Sequence, residues 1–185
     1  MISVETALDH LFALASPLRS EIVSLSAAAG RVLIEDAKAR RNQPPFAASA
    51  MDGYAVQGGD LTVGASYHVI GEAAAGHGFD GQVGPDQAVR IFTGAPLPEG
   101  ANRVIIQEDV HRSGDVITLA ASLEDKTHIR PMGADFRVGA TLAAPRVLNP
   151  ADIALLAAMN VAQVRVTKKP DVALISTGDE LVMPG

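Results

Sequence analysis

Four short stretches of the 185-residue sequence combine glycine with polar side chains in a way that a hydrophobic core does not require. The first, residues 49–56, reads SAMDGYAV. Asp52 is there a carboxylate on a loop of very small residues, open to a bulky ligand or a hydrated cation. Asp-Gly ahead of an apolar strand is also a strong hairpin signal, so a plain turn is the competing reading. In the second stretch, residues 90–100, an apolar run ends in Thr93-Gly94 ahead of Pro96 and Pro98. Such a stiff corner aims the Thr93 hydroxyl and the following amides at one point, a geometry suited to an oxyanion; the alternative is simply a strand that stops. The third, Gln107-Glu108-Asp109, closes an apolar run with polar groups, as a hydrated sheet edge also would. The fourth, Ser176-Thr177-Gly178-Asp179-Glu180-Leu181, follows the apolar run Val172-Ala173-Leu174-Ile175. Ligands of open parallel sheets bind at that end of a strand. Hydroxyls and glycine would contact a phosphate there, whereas Asp179 and Glu180 would repel one unless a divalent cation lay between. That mixture points to Mg2+ with a phosphorylated or oxyanion substrate, with helix capping by Asp179 as the alternative.

Other polar residues carry less. His10, His68, His77, His111 and His128 are scattered and fall at no metal-ligand spacing. Arg130 and Asp135, bracketing Pro131-Met132-Gly133-Ala134, could contact an anion or simply pair with each other. Neither a Walker loop nor a dinucleotide-binding glycine fingerprint occurs.

Composition narrows the chemistry further. Fifteen Lys plus Arg against twenty-one Asp plus Glu give a net charge of −6, so no global positive field exists to hold a nucleic acid or an anionic bilayer. An anionic ligand must be held locally. There is no cysteine, which excludes disulfides, thiolate metal sites and a Cys nucleophile. Hydrophobic residues at 48% and charged residues at 19% describe a chain that folds. With 4% aromatics and no Trp, base-stacking platforms are not expected. The first ten residues lack a signal-peptide pattern and no run approaches a membrane span, so the expected location is cytoplasmic.

The elements that must position these groups follow from periodicity. Ser3 is an N-cap signal, and Leu8, Leu11, Phe12 and Ala15 recur at helical spacing until Ser16-Pro17 stops the helix. Residues 21–25 read as extended and residues 27–34 as a second short helix carrying Gly30. From Asn42 the texture changes, because Gln43-Pro44-Pro45-Phe46 forbids helix. Residues 53–140 read as an all-β module, with β-branched runs at 67–70, 88–92, 103–107 and 116–119, and with a hairpin turning at Ser113-Gly114. Asn149 as N-cap, Pro150 and Asp152 then start a helix that Asn160 ends. The run 172–175 is typical of a strand buried on both faces of a parallel sheet, which needs neighbours and covering helices. It leads us to expect that the sequence breaks off just inside a further α/β domain, and that the segments on either side of the β module form one discontinuous unit.

In this order and spacing, SAMDGYAV (49–56), RIFTGAPLPEG (90–100), VIIQE (104–108), HIRPMGAD (128–135) and STGDEL (176–181) resemble the MoeA type of molybdopterin molybdenumtransferase, which is also the E domain of gephyrin. The resemblance implies an α+β fold: a discontinuous mixed helix-and-strand linker domain (1–47 and 141–168), an inserted all-β domain (48–140) and the first strand of a truncated α/β molybdopterin-binding domain (169–185). It implies insertion of molybdate into adenylylated molybdopterin with Mg2+ and release of AMP, this chain being inactive alone. Residue by residue, it places Asp52, Thr93, Asp135 and Glu180 as catalytic, with Asp52 and Glu180 as metal ligands. Arg130, Gln107, Glu108, Ser176, Thr177 and Gly178 fall to substrate binding. Met132 and Ala134 stand where relatives often carry a basic residue and Glu. A homodimer and a molybdopterin adenylyltransferase partner are also implied. The competing reading is a non-catalytic scaffold or dimerisation module of the gephyrin kind.

Overall fold

The computed structural model describes residues 2–58, 61–123 and 125–182. Among the described residues the architecture is mixed, with two short α-helices and many strands, and the chain divides into two compact units. One unit comprises Met1–Ala37 with Thr141–Gly185, the other Lys38–Ala140.

In the first unit the helix Val4–Ala13 is capped by the Ser3 hydroxyl, which accepts from the Thr6 amide. No residue of this helix is buried, and Leu11 and Phe12 are 61% and 71% exposed. A four-stranded antiparallel sheet follows in the order Ser20–Ser24, Gln163–Thr167, Val32–Leu33, Arg146–Val147. Arg31 staples it: its guanidinium donates to the Glu21 carboxylate at 2.5 Å and to the Thr167 carbonyl at 2.7 Å. Helix Pro150–Ala158 has the expected start, a reciprocal capping box between Asn149 and Asp152, and ends at Asn160 with φ +61°. Leu156 and Met159 are buried, as are Leu33, Leu148 and Val166 of the same unit. The unit therefore draws on two separate stretches of the sequence, Met1–Ala37 and Thr141–Gly185.

One expectation fails here. Residues 27–34 form no helix. A single 3-10 turn, Leu25–Ala27, is followed by Gly30 at φ +73° and by the strand Val32–Leu33. The left-handed glycine turns the chain into the sheet, where Leu33 is fully buried. Residues 172–175, the run that needs sheet neighbours, form no buried strand: Val172, Leu174 and Ile175 are 76%, 93% and 86% exposed and lie in no ladder. An apolar run becomes a strand only when neighbours supply hydrogen-bond partners, and the described residues offer none.

The second unit is an all-β module. Its six-stranded sheet runs Arg103–Ile106, Gly53–Val56, Gln87–Ile91, Ser66–Ala73, Val116–Leu119, Val110–Ser113. All pairs are antiparallel except Ser66–Ala73 with Gln87–Ile91. The hairpin turns at Gly114, φ +59°, as its sequence required. Alternate residues feed two cores, one on each face. Tyr54, Val56, Ala88, Ile105 and Ile117 pack on one side, and Ala55, Val89, Ile91 and Val104 on the other. Each buried Ile or Val contributes roughly 1.5–3 kcal/mol by leaving water. A second, two-stranded ladder pairs Ala48–Ser49 with Ile129–Arg130. The module's ends are hydrogen-bonded to each other, Ala39 N–H to the Ala140 carbonyl and Gly139 N–H to the Ala39 carbonyl, both at 2.8 Å.

Asp52-Gly53 does not make a hairpin turn. Gly53 opens a central strand that pairs with Ile106 on one side and Ile91 on the other. A methyl group at Gly53 would overlap the Ile105 carbonyl, so the strands reach this spacing only because the residue has no side chain. Gly53→Ala is expected to destabilise the chain by about 1–3 kcal/mol, the cost of overpacking a closed core. Thermal denaturation checks it, and an unchanged melting temperature would contradict the close approach.

Candidate functional site

The start of strand Gly53–Val56 gathers most of the chemistry-bearing residues of the second unit. The preceding strand Ala48–Ser49 is held between two neighbours. On one side Ser49 N–H donates to the Ala95 carbonyl, Gly94 N–H to the Ser49 carbonyl and Leu97 N–H to the Ala47 carbonyl. On the other, Ala50 N–H donates to the His128 carbonyl, next to the ladder with Ile129–Arg130. Ser49 is 1% exposed, and its hydroxyl donates to the Met51 carbonyl, which tightens the loop and delivers Asp52 to the end of the sheet.

There the Asp52 carboxylate is clamped. Its Oδ1 accepts from the Thr93 amide at 2.8 Å and from the Thr93 hydroxyl at 2.7 Å. The Asp52 carbonyl accepts from the Gln107 amide at 3.1 Å. Thr93 follows strand Gln87–Ile91 and Gln107 follows Arg103–Ile106, so three adjacent strands end together at this point. The Thr93 amide and then its hydroxyl hold the Asp52 carboxyl below its ordinary value of 3.8; desolvation opposes them, and the Arg90 charge assists. Both hydrogen bonds fall on Oδ1, so among the described residues Oδ2 accepts none.

Arg90 completes the cluster, and the sequence motifs did not single it out as a site residue. It sits directly across the ladder from Tyr54, with its guanidinium carbon 5.0 Å from the Tyr54 ring centre and 4.7 Å from that of Phe92. Nη1 donates to the Gly53 carbonyl at 3.2 Å and Nη2 to Gln107 Oε1 at 2.6 Å. Gln107 Nε2 donates in turn to Glu108 Oε1 at 3.2 Å. The signal lay in the alternation: residues 88, 90 and 92 share one strand face, and a charged residue there needs a partner.

The expectation that Thr93 and the following amides converge on an oxyanion is corrected by these contacts. Thr93 spends both its N–H and its O–H on Asp52, Gly94 N–H goes to Ser49, and Ala95 N–H goes to Phe92. Thr93 orients a carboxylate instead. Arg130 and Asp135 do pair, at 2.5 Å, on a loop pinned by Gly133 N–H to the Pro44 carbonyl and Asp135 N–H to the Gln43 carbonyl. Ser176, Thr177, Gly178 and Glu180 belong to the first unit, in an exposed segment with a single turn closed by Leu181 N–H to the Gly178 carbonyl. Asp52 and Glu180 thus lie in different units, and neither unit alone contains both.

Among the described residues no three His, Cys, Asp or Glu side chains converge as a cage for a cation. Mg2+ seldom uses such a cage; it is held by one or two carboxylates while waters and substrate phosphates complete its shell. An ionised Asp52 with one oxygen left over fits that donor set. No helix among the described residues is long and apolar enough to cross a membrane.

A family model described as "MoeA N-terminal region (domain I and II)" matches residues 2–160. A molybdopterin molybdenumtransferase from Haemophilus influenzae is 39% identical over 171 residues, covering 91% of this chain and 42% of that protein. One from a Nostoc species is 37% identical over 192 residues, covering 98% and 44%. A crystal structure of the molybdopterin biosynthesis MoeA protein from Pyrococcus horikoshii superposes with a TM-score of 0.82 at 32% identity, over 100% of this chain and 49% of that one. The chain thus spans a little under half the length of the relatives it matches. With the family model matched over most of its residues and the fold shared with a solved relative, the chain belongs to the MoeA family, in its N-terminal region.

Proposed function

We propose that this chain supplies the acidic, cation-facing part of a site that inserts molybdate into adenylylated molybdopterin, with release of AMP, in molybdenum cofactor biosynthesis. The observation that carries the reading is the Thr93-clamped Asp52 carboxylate, kept ionised with Oδ2 open. Mg2+, when bound, would supply charge neutralisation at the substrate's phosphoryl oxygens. Asp52 Oδ2 would be its protein ligand in this unit, and Glu180 of the partner subunit the second carboxylate, as the family resemblance implies. Thr93 keeps the Asp52 carboxylate in one orientation. Glu108 offers a second acidic group to organise water. Arg130 gives one nitrogen to Asp135 and keeps other N–H groups for an anion such as molybdate or phosphate. Ser176, Thr177 and Gly178 would contact the substrate. The reading includes a cytoplasmic homodimer, a catalytic contribution only in company with the remainder of the relatives' length, and a molybdopterin adenylyltransferase as the source of the substrate.

Binding can be tested on the chain itself. Mg2+ titrated into isotope-labelled protein should shift the Asp52 and Thr93 amide resonances saturably, and Asp52→Asn should abolish the response while leaving the spectrum folded. Amides that stay still in the native chain would refute the assignment. For activity, this chain can replace the matching region of the Haemophilus influenzae relative. Asp52→Asn in that chimera should lower molybdate insertion by on the order of 100-fold, the usual loss when a preorganised electrostatic group is removed; an unchanged rate would exclude Asp52.

The clamp also predicts a pH dependence. Because its folded-state pKa is depressed, Asp52 favours the folded state above its unfolded value and loses that contribution as pH falls through the folded one, below 3.8. Thr93→Val removes the hydroxyl donor and keeps the amide, so the Asp52 carboxyl midpoint should rise towards 3.8 in a carbon-detected NMR titration. A midpoint that does not move would show that the hydroxyl is not donated to it.

A further inference from the structure

We propose that Arg90 is a positioning residue of this site: held between the Tyr54 and Phe92 rings, it fixes the Gln107 amide so that Glu108 is presented as an oriented carboxylate next to the Asp52 loop. The catalytic meaning of this inference rests on the function proposed above; the geometry does not. Gln107 could by itself place its amide either way round, with oxygen or nitrogen towards Glu108. Arginine has donors and no acceptor, so the group it touches must be the Gln107 oxygen. The amide nitrogen is then forced to the other side, where it donates to Glu108 Oε1. The same guanidinium reaches the carbonyl of Gly53, the residue that follows Asp52. One planar fork therefore ties together the backbone that carries Asp52 and the side chain that holds Glu108. Lysine, a point charge, could not serve both acceptors with one planar fork held against two rings. The rings matter because they restrict where the guanidinium can go: Tyr54 is itself 5% exposed and anchored in the core, and Arg90 is its direct cross-strand neighbour.

A role confined to stability would leave no mark on Gln107 and Glu108 once the fold is intact, and this gives the test. In isotope-labelled chain, the two Gln107 side-chain amide protons should be widely separated in the native protein. In Arg90→Met they should collapse towards the values of a free amide, with a parallel change at the Glu108 carboxyl carbon. Arg90→Lys, which keeps the charge without the fork, should not restore them. Gln107→Met provides a second route should the arginine variants fold poorly, since it should displace the Glu108 carboxyl resonance with Arg90 intact. In the chimera, Arg90→Lys should reduce kcat about tenfold with KM little changed. Native-like Gln107 and Glu108 resonances in folded Arg90→Met or Gln107→Met would overturn the proposal, and so would unchanged kcat alongside altered resonances. A chimera already inactive with the native residues would instead count against the proposed function, and the resonances would still decide the role of Arg90.

Discussion

Gly53 is the constraint on which the β module depends. The strand it opens lies between two neighbours and has a core on each face, so every residue from Gly53 to Val56 is buried. A strand so enclosed can leave the sheet only at its ends, and the exit at its start has no room for a side chain. Polar groups that cannot be accommodated inside are consequently gathered at that exit. Asp52 stands just before it, Thr93 and Gln107 terminate the strands on either side, and Arg90 lies across from the first residue that carries a ring. The site is the polar fringe of a sheet whose interior is closed.

The electrostatics follow from that placement. A half-exposed carboxylate in water would rotate freely; Asp52 does not, because two donors of one residue fall on one oxygen. The clamp distinguishes the two oxygens: one is spent on position, and the other accepts no hydrogen bond among the described residues. The arginine lying between two rings adds positive charge nearby without neutralising the carboxylate through a direct ion pair, since its donors go to a backbone carbonyl and an amide. A net-negative chain thereby keeps an anionic group available to a cation, and Arg130 on the adjacent ladder provides the opposite sign.

How much of this was legible in the sequence depended on how local the determinants were. The helix Pro150–Ala158 was readable to its caps because Asn149, Pro150, Asp152 and Asn160 act within one turn of themselves. The hairpin at Gly114 was readable for the same reason. The Asp52-Gly53 pair misled, since its turn chemistry is indistinguishable from that of a hairpin until one sees strands Arg103–Ile106 and Gln87–Ile91 on both flanks. Residues 27–34 looked helical and became a strand because sheet partners from the far end of the chain outweighed a weak local preference. Motifs located Asp52, Thr93, Gln107 and Glu108, yet spacing alone could not say that Thr93 serves Asp52 rather than an anion, nor that Arg90 joins them. Those are facts of register, set by long-range pairing.

The hydrogen bonds joining Ala39 to Gly139 and Ala140 have a consequence for how this architecture can change over time. A module whose entry and exit are hydrogen-bonded to each other imposes little extra loop-closure entropy on the host, however long the excursion between them. It can be lengthened, retuned or exchanged as a cassette while the surrounding chain keeps its own pairing of Ser20–Ser24 with Gln163–Thr167. Variation in ligand preference could thus accumulate within one such cassette, at small expense to the folding of the rest.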